Sequence, residues 1–337
     1  GYFGAEFGNA PSGLIHLGRG LPPKQFHGTL RAAHQNSVFT ARSFFQVGGV
    51  KPARDNDYGF TASYSRWRRM HFLAEAGQQK NRGFVNGNVL VPQPDERTPL
   101  SADAAPRAIV ARFLSAYPAE LPNRTDINSR ALNRNAPQSI DSETARARVD
   151  FDASSRDLLS AQYQLLFQHV DAFQLVAGQN PITDTKSHKA RLSWTRQQDP
   201  RTVIQLSAGV DRLRNLLTPE NNAVGVFVII AGLTSLGPDG TIPIDRATNL
   251  FRYAGAARRT AQRHELTGGF EILRRQLNGR ETDSHRGFFS FNADFGRDGI
   301  TNLRLGAPSQ HIISVGDIHR GFRNNDLLFY FGDTWKV

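Results

Sequence analysis

Hydrophobic and polar residues alternate with period two in several segments of this chain. The clearest segments are Leu159–Phe167, Ala190–Thr195, Ile204–Asp211 and Glu265–Arg275, and the first good strand is predicted at Phe26–Ala33. Successive residues of a β-strand point to opposite faces of the sheet, so this alternation predicts strands with one apolar and one polar face. A soluble antiparallel sheet can show the same pattern, which makes the connections between strands important.

The connections alternate between short and long. Short ones are predicted at residues 154–157, 197–200 and 258–263, and long ones at 39–56, 91–141, 171–187, 216–248 and 278–309. Transmembrane barrels have short periplasmic turns and long extracellular loops, whereas compact soluble domains rarely carry several long loops without secondary structure. The sequence therefore predicts an all-β fold, an antiparallel transmembrane β-barrel with long extracellular loops.

The polar positions of these strands carry Gln, Ser, Thr, Gly and charged residues, which suits a water-filled lumen behind an apolar wall that faces lipid. By parity along each strand, we expect the following side chains to face the lumen: Gln162, Gln164, Gln205, Ser207, Glu265, Glu271 and Arg275. They either contact a passing solute or only solvate and brace the lumen wall.

One long loop is predicted to contain a short helix. Pro106 is expected as its first helical residue, with Ser101 and Asp103 as candidate caps. An apolar stripe at helical spacing follows, formed by Ile109, Val110, Phe113, Leu114 and Tyr117. We expect the helix to pack on its own loop; the alternative is a helix that binds a partner.

The longest apolar run, Ala223–Leu233, is too short for a membrane-spanning helix.

The net charge and the absence of known sequence motifs limit the classes of function that fit this chain. The 337 residues include 41 Lys and Arg against 30 Asp and Glu, a net charge of +11. The Arg residues are scattered and form no basic run, so we expect no nucleic-acid partner and interpret the charge mainly as solvated faces of an Arg-rich sequence. An anionic lipopolysaccharide or an anionic solute is the alternative. The chain has no Cys, and its ten His are dispersed outside any H-E-x-x-H motif. G-x-S-x-G and Walker A motifs are also absent. We expect neither an enzyme nor a metal or other cofactor.

Four segments, in order, resemble TonB-dependent outer-membrane receptors. Residues Ala5–Ala10 (AEFGNA) followed by Ser12–Ile15 (SGLI) are similar to the end of the plug domain in that family. Gln25–Leu30 is similar to the segment that enters the first barrel strand of the family. Asn36–Phe45 is similar to a segment of the Oar-like branch of the family, and Phe329–Val337 is similar to a late barrel strand. The sequence departs from the family pattern at Leu21–Lys24 and at Asp57–Gly59, which bears on the branch of the family.

The resemblance implies the end of a plug at residues 1–25 and part of a 22-stranded barrel at residues 26–337. About a dozen strands are expected, roughly half of such a barrel. It also implies a bacterial outer-membrane location, contact with outer-membrane lipid and lipopolysaccharide, and energy from the TonB complex through a plug that lies upstream of this sequence. The solute is unknown.

These expectations lead to active, TonB-dependent uptake of a solute across the outer membrane, without bond chemistry. Two alternatives stay open. One is an outer-membrane or surface protein that binds or adheres without active transport. The other is a secreted, β-rich carbohydrate-active enzyme, which should show paired carboxylates in a cleft roughly 5–10 Å apart.

Overall fold

The computed structural model describes residues 25–42, 48–67, 69–280 and 283–336. Strands dominate this part of the chain, and two α-helices, α1 (Ala104–Ser115) and α2 (Gly299–Leu305), lie in its loops. The strands are β1 (His27–Asn36), β2 (Arg54–Trp67), β3 (Met70–Leu90), β4 (Ala131–Asp152), β5 (Asp157–Asp171), β6 (Ile182–Asp199), β7 (Thr202–Thr218), β8 (Phe227–Ile230), β9 (Ile244–Ala261), β10 (His264–Arg280), β11 (Phe288–Phe291), β12 (Gln310–Ile312) and β13 (His319–Trp335).

Ten long strands form one antiparallel sheet in the order β1-β2-β3-β4-β5-β6-β7-β9-β10-β13. This confirms the predicted all-β, antiparallel fold and the strands that the alternating segments indicated. Of the roughly one dozen barrel strands expected, the described residues show ten, and β8, β11 and β12 are short strands of a separate sheet in the loops. The total of 22 strands stays a prediction, and the plug segment predicted at 1–25 lies almost wholly outside the described residues.

Short and long connections alternate as expected, but several predicted boundaries are wrong. Strand β4 begins at Ala131, well inside the loop predicted to end at 141, and β6 and β9 begin at Ile182 and Ile244. The turns are also tighter, since β6 continues to Asp199 and β9 to Ala261. Strands extend beyond the apolar alternation because ladder hydrogen bonds continue where the side chains on both faces are polar.

The two faces of the sheet differ in chemistry. Cross-strand pairing places Leu159, Trp194 and Leu206 side by side on one face, and Leu192 next to them is 62% exposed. Residues of the opposite parity form a face of Gln, Ser, Thr and charged side chains. We call these two surfaces the apolar face and the polar face. Among the described residues, no helix is long and apolar enough to span a membrane.

Most of the buried side chains lie in the long loops. We call residues 91–130, 172–181, 219–243 and 283–318 the loop cap. Its core is formed by Phe113 and Leu114 of α1, Val228 and Ile230 of β8, and Leu303 of α2, with further aliphatic residues around them. Strand β8 pairs in parallel with β11, which pairs with β12. The long loops therefore pack together around one core, which also includes Val89 of β3 and Leu132 and Ala136 of β4.

Helix α1 was predicted at nearly the right place, but three details of that prediction are wrong. The helix begins at Ala104, which makes Pro106 its third residue; a proline is tolerated there because first-turn N–H groups have no helical acceptor. Asp103 is the N-cap residue, yet its side chain accepts no capping hydrogen bond, and Ser101 lies further upstream. Ile109 is 53% exposed and so does not belong to the buried stripe.

The packing of α1 also differs from the expectation. The helix contacts α2, which belongs to a different loop, and shares its core with β8. The hydroxyl of Tyr117 donates a hydrogen bond of 2.6 Å to the carbonyl of Thr234. Arg304 in turn donates through Nε to the carbonyl of Thr98, at 2.9 Å. The helix therefore packs on the assembled cap and not only on its own loop.

Candidate functional site

The polar face brings together all seven residues that parity singled out. Their strands are β5, β7 and β10, and within them no register shift interrupts the ladder, so every second residue returns to the same face. The face to which they belong carries Gln162, Gln164, Gln205, Ser207, Glu265, Glu271 and Arg275. Whether this face lines the lumen of a closed barrel stays a prediction.

The centre of the polar face is a pair of glutamines between two pairs of basic residues. Gln164 of β5 lies opposite Arg146 on β4 and opposite Lys189 on β6. One step along the same strands, Gln162 lies between Arg148 and Arg191. Directly opposite residues of neighbouring strands have Cβ atoms about 4.5–5.5 Å apart, so all six side chains border one surface.

A cavity of about 370 Å³ opens at this centre, lined by Glu75, Arg146, Gln164 and Lys189 together with neighbouring residues. The Nη1 atom of Arg146 is 3.8 Å from Oε2 of Glu75, and the Nε atom of Arg146 is buried without a hydrogen-bond partner. Within the described residues, Lys189 forms no ion pair, although Asp211 lies opposite it on β7. The cavity thus offers basic groups and an amide to a polar ligand.

Arg148 and Arg191, the second basic pair, are held in different ways. Arg148 donates from Nε to Oδ1 of Asp150 at 3.1 Å, and the Ser160 hydroxyl donates to the same oxygen at 2.5 Å. Arg191 lies over Gly209 of β7, where an added Cβ would be 3.4 Å from its Nε atom. Within the described ranges Arg191 has no ion-pair partner. The glycine leaves room for the guanidinium to lie along the sheet.

The remaining predicted residues are mostly held by ion pairs along β9, β10 and β13. Glu271 pairs with Arg252 at 2.5 Å, Glu265 pairs with Arg258, and Arg275 donates from Nε to Asp326 at 2.9 Å. Gln205 is exposed, and Ser207 is half-buried. These pairs link neighbouring strands across the polar face, so this part of the surface is closer to neutral than the centre around Gln162 and Gln164.

The sequence prediction missed the basic residues on both sides of the glutamines. A signal for them existed, since Thr144, Arg146, Arg148 and Asp150 alternate strictly with Ala145, Ala147, Val149 and Phe151. The same parity rule that selected Gln162 and Gln164 would have selected Lys189 and Arg191 on β6. Among the described residues, no group of three or more His, Asp or Glu is placed to hold a metal ion.

Comparison with known proteins decides the family. A model of the outer membrane beta barrel domain matches residues 24–337 of the chain. The chain belongs to this outer-membrane barrel family. Membership of this family places the protein in the outer membrane. A search of curated protein sequences finds no match.

Two solved outer-membrane proteins are similar to the chain. The outer membrane transporter YddB from Escherichia coli matches with a TM-score of 0.54 at 11% identity, over 91% of this chain and 37% of YddB. The open form of the ferric-catecholate import receptor Fiu from E. coli matches with a TM-score of 0.49 at 9% identity, over 94% of this chain and 49% of Fiu. The chain thus spans less than half the length of either structure.

Proposed function

We propose that the protein takes up a solute across the bacterial outer membrane, along a path bordered by the polar face. One observation carries this proposal: a single sheet from an outer-membrane barrel family is apolar on one face and densely charged on the other. Lipid can cover the apolar face, whereas charged groups in the membrane plane need water or a polar solute. The similarity of the fold to that of an outer-membrane transporter also supports uptake.

In this proposal the side chains of the polar face divide into two roles. Gln162, Gln164, Lys189 and Arg191 contact the solute, since the two amides form no side-chain hydrogen bond and the two cations no ion pair within the described residues. Glu271 and Arg275 brace the wall, because each already has a partner on a neighbouring strand. The partly compensated cations at the centre favour a solute with at least one anionic group.

Uptake is proposed to be active and TonB-dependent. The support is the sequence resemblance at Gln25–Leu30 and Phe329–Val337 to TonB-dependent receptors. An inner-membrane energy-coupling complex would pull on a plug and open the path along the polar face. The chain's own residues then bind and orient the solute and do no bond chemistry.

The experiment is solute depletion by cells that carry the protein in the outer membrane. A defined mixture of small carboxylates, phosphorylated sugars, peptides and neutral sugars is supplied, and mass spectrometry follows what disappears from the medium. We expect protein-dependent depletion that a protonophore abolishes and that Lys189→Gln/Arg191→Gln lowers at least about fivefold, the equivalent of about 1 kcal/mol. The matched control Arg201→Gln removes a charge at a short turn and should deplete the mixture normally.

Binding or adhesion without transport is the second candidate, favoured by the packed core of the loop cap. It predicts retention of a solute or particle on the cells that persists with the protonophore and is insensitive to changes at Lys189 and Arg191. Protein-dependent loss from the medium that the protonophore leaves unchanged, with the solute recovered from the cell surface by washing, would reject uptake in favour of this candidate.

A further inference from the structure

Short turns join the long strands at one end of the sheet, and an exposed arginine lies in each of them. Arg69 lies between β2 and β3, Arg156 between β4 and β5, Arg201 between β6 and β7, and Arg263 between β9 and β10. Lys336 follows β13 at the same end. We call these five residues the cation row. Neighbouring strands are about 4.8 Å apart, so successive hairpins place these cations about 10 Å apart.

The four arginines of the cation row occupy equivalent backbone positions. The carbonyl of each accepts a backbone hydrogen bond of 2.7 to 3.0 Å from the next hairpin or strand along the sheet. The donors are the N–H groups of Asp152, Gln197, Thr260 and Lys336, for Arg69, Arg156, Arg201 and Arg263 respectively. These bonds tie each turn to its neighbour, so they fix the spacing of the row.

Acidic residues near the turns are bound by other groups and do not neutralise the row. Asp157 accepts a hydrogen bond from the Ser154 hydroxyl at 2.6 Å and is paired with Arg196 at 3.2 Å. Asp199 accepts one from the backbone N–H of Arg201 at 2.8 Å. The other acidic residues pair with side chains outside the row: Asp152 with His71, Glu265 with Arg258, and Asp333 with His264. Within the part of the chain that the structure describes, the cations of the row form no ion pair.

The two ends of the protein carry an excess of opposite charge. We call residues 69–71, 152–158, 196–203, 258–265 and 333–336 the turn rim. The turn rim contains eight basic and five acidic residues, whereas the loop cap at the other end contains eight basic and eleven acidic residues. The basic excess of the chain is therefore not located in the loop cap. A large anionic partner is attracted to the end that carries the short turns.

We propose that the cation row binds carboxylates of the peptidoglycan layer. Short turns of outer-membrane barrels face the periplasm, where this layer lies parallel to the membrane and so parallel to the turn rim. Its repeating unit is a disaccharide with a carboxylate-bearing peptide, so its anions recur at regular intervals, as the cations do. Guanidinium groups bind carboxylates through two parallel hydrogen bonds. The even spacing favours a repeating polymer over a folded acidic protein, whose carboxylates follow no such repeat.

Sedimentation with purified peptidoglycan sacculi tests this contact. The whole protein, extracted from outer membranes in a non-ionic detergent, is mixed with protease-treated sacculi, and the sedimenting fraction gives an apparent affinity. We expect binding that is lost as the salt rises from about 0.1 M to about 1 M, because the Debye length falls from about 10 Å to about 3 Å. Sacculi whose carboxylates have been converted to neutral amides should not bind. The assay contains no solute, so its result is independent of the proposed uptake.

Two double variants separate the cation row from the net charge of the protein. Arg201→Gln/Arg263→Gln should weaken the affinity for sacculi by about fivefold or more, since one exposed ion pair contributes a factor of up to about five. Lys51→Gln/Arg320→Gln is the matched control, because it removes two exposed charges at the end of the long loops. It should bind sacculi as the parent protein does.

Four results would overturn the proposal. The parent protein may not sediment with the sacculi, or amidated sacculi may bind it as well as unmodified ones. The two double variants may lose affinity equally, which would mean that net charge and not the row decides binding. Sedimentation with untreated sacculi but not with protease-treated sacculi would show that the row binds a protein attached to the cell wall.

Discussion

The sheet and the loop cap are built by opposite rules. In the cap, Phe113, Val228 and Leu303 are almost completely buried, and the helices and short strands pack around them. In the sheet, Leu192, Leu327 and Phe329 are more than half exposed. The cap removes its apolar surface from water by packing on itself, whereas the sheet leaves a comparable surface for lipid to cover.

Polar residues show the same contrast. Asn302 in α2 is fully buried, and its amide donates to the carbonyls of Asn292 and Asp294 at 2.9 and 3.1 Å. Gln164 in the sheet is half-exposed and borders a cavity. Burial favours a fixed partner for a polar group, as Asn302 shows, while the polar face of the sheet can leave groups available for a ligand. If the polar face binds a solute as proposed, stability and binding reside in different regions.

The largest expected effect is a cavity in the cap core. Phe113→Ala should destabilise the cap by about 3–5 kcal/mol, since truncating a buried aromatic side chain loses burial and leaves a void. Hydrogen exchange of the loop amides should rise strongly, while exchange in β5 to β7 stays slow. Ile109→Ala on the exposed side of α1 is the control and should change little. Equal loosening of sheet and cap by Phe113→Ala would show that the cap is not a separate unit.

A charge on the apolar face tests the rule for the sheet. Leu192→Arg should cost about 2–4 kcal/mol, because the new charge would lie in the lipid region. The matched control is Ser193→Arg, one residue further along β6 on the polar face, which should cost far less. Urea titration of the protein refolded into vesicles measures both. The assignment of the two faces is wrong if the two variants lose the same stability.

The sheet could be predicted from the sequence because its signal is local. The face of Gln162 or Leu192 depends only on position along one strand, so alternation alone orders the residues. The cap depends on contacts between distant segments: Arg304 reaches Thr98, and β8 pairs with β11 from a later loop. From the sequence, the run Ala223–Leu233 could only be recognised as too short to span a membrane. In the structure, Val228 and Ile230 of this run belong to the cap core.

The candidate site was predicted in part for the same reason. Parity placed the seven polar residues on one face but carried no information about cross-strand partners. It therefore could not separate Glu271, which is paired with Arg252, from Gln164, which faces a cavity. Those differences arise from the register between strands, which is fixed by turns and ladders and not by the composition of any one segment.

As the pH falls, protonation of Glu96 should destabilise the loop cap before the sheet is destabilised. Both oxygens of this carboxylate accept hydrogen bonds from Arg130, which holds the pKa of Glu96 below its usual value despite partial burial. A carboxyl group with a lowered pKa in the folded state stabilises it above the unfolded pKa, and that contribution is lost as pH falls through the folded pKa. We expect a loss of about 1 kcal/mol below about pH 4.

Protease cleavage of the cap across a pH series, with an acid-stable protease, detects this loss. Glu96→Gln should cleave faster at neutral pH and show a flatter acid response, while Asp95→Asn, which removes the neighbouring exposed charge, should follow the parent protein. If the acid response of Glu96→Gln matched that of the parent, another carboxyl group would be responsible for it.

The smallest expected effect is at the centre of the polar face. Gln164→Ala removes a half-exposed amide that has no side-chain hydrogen bond within the part of the chain that the structure describes, so the stability of the protein should change by no more than about 0.5 kcal/mol. Urea titration in vesicles measures this, with Ser193→Ala on the same face as the control. A loss above about 1 kcal/mol would mean that the amide stabilises the sheet. Polar side chains at the centre of the polar face would then stabilise the fold as those of the cap do. The proposed separation of binding from stability would be wrong at the residue that is proposed to contact the solute.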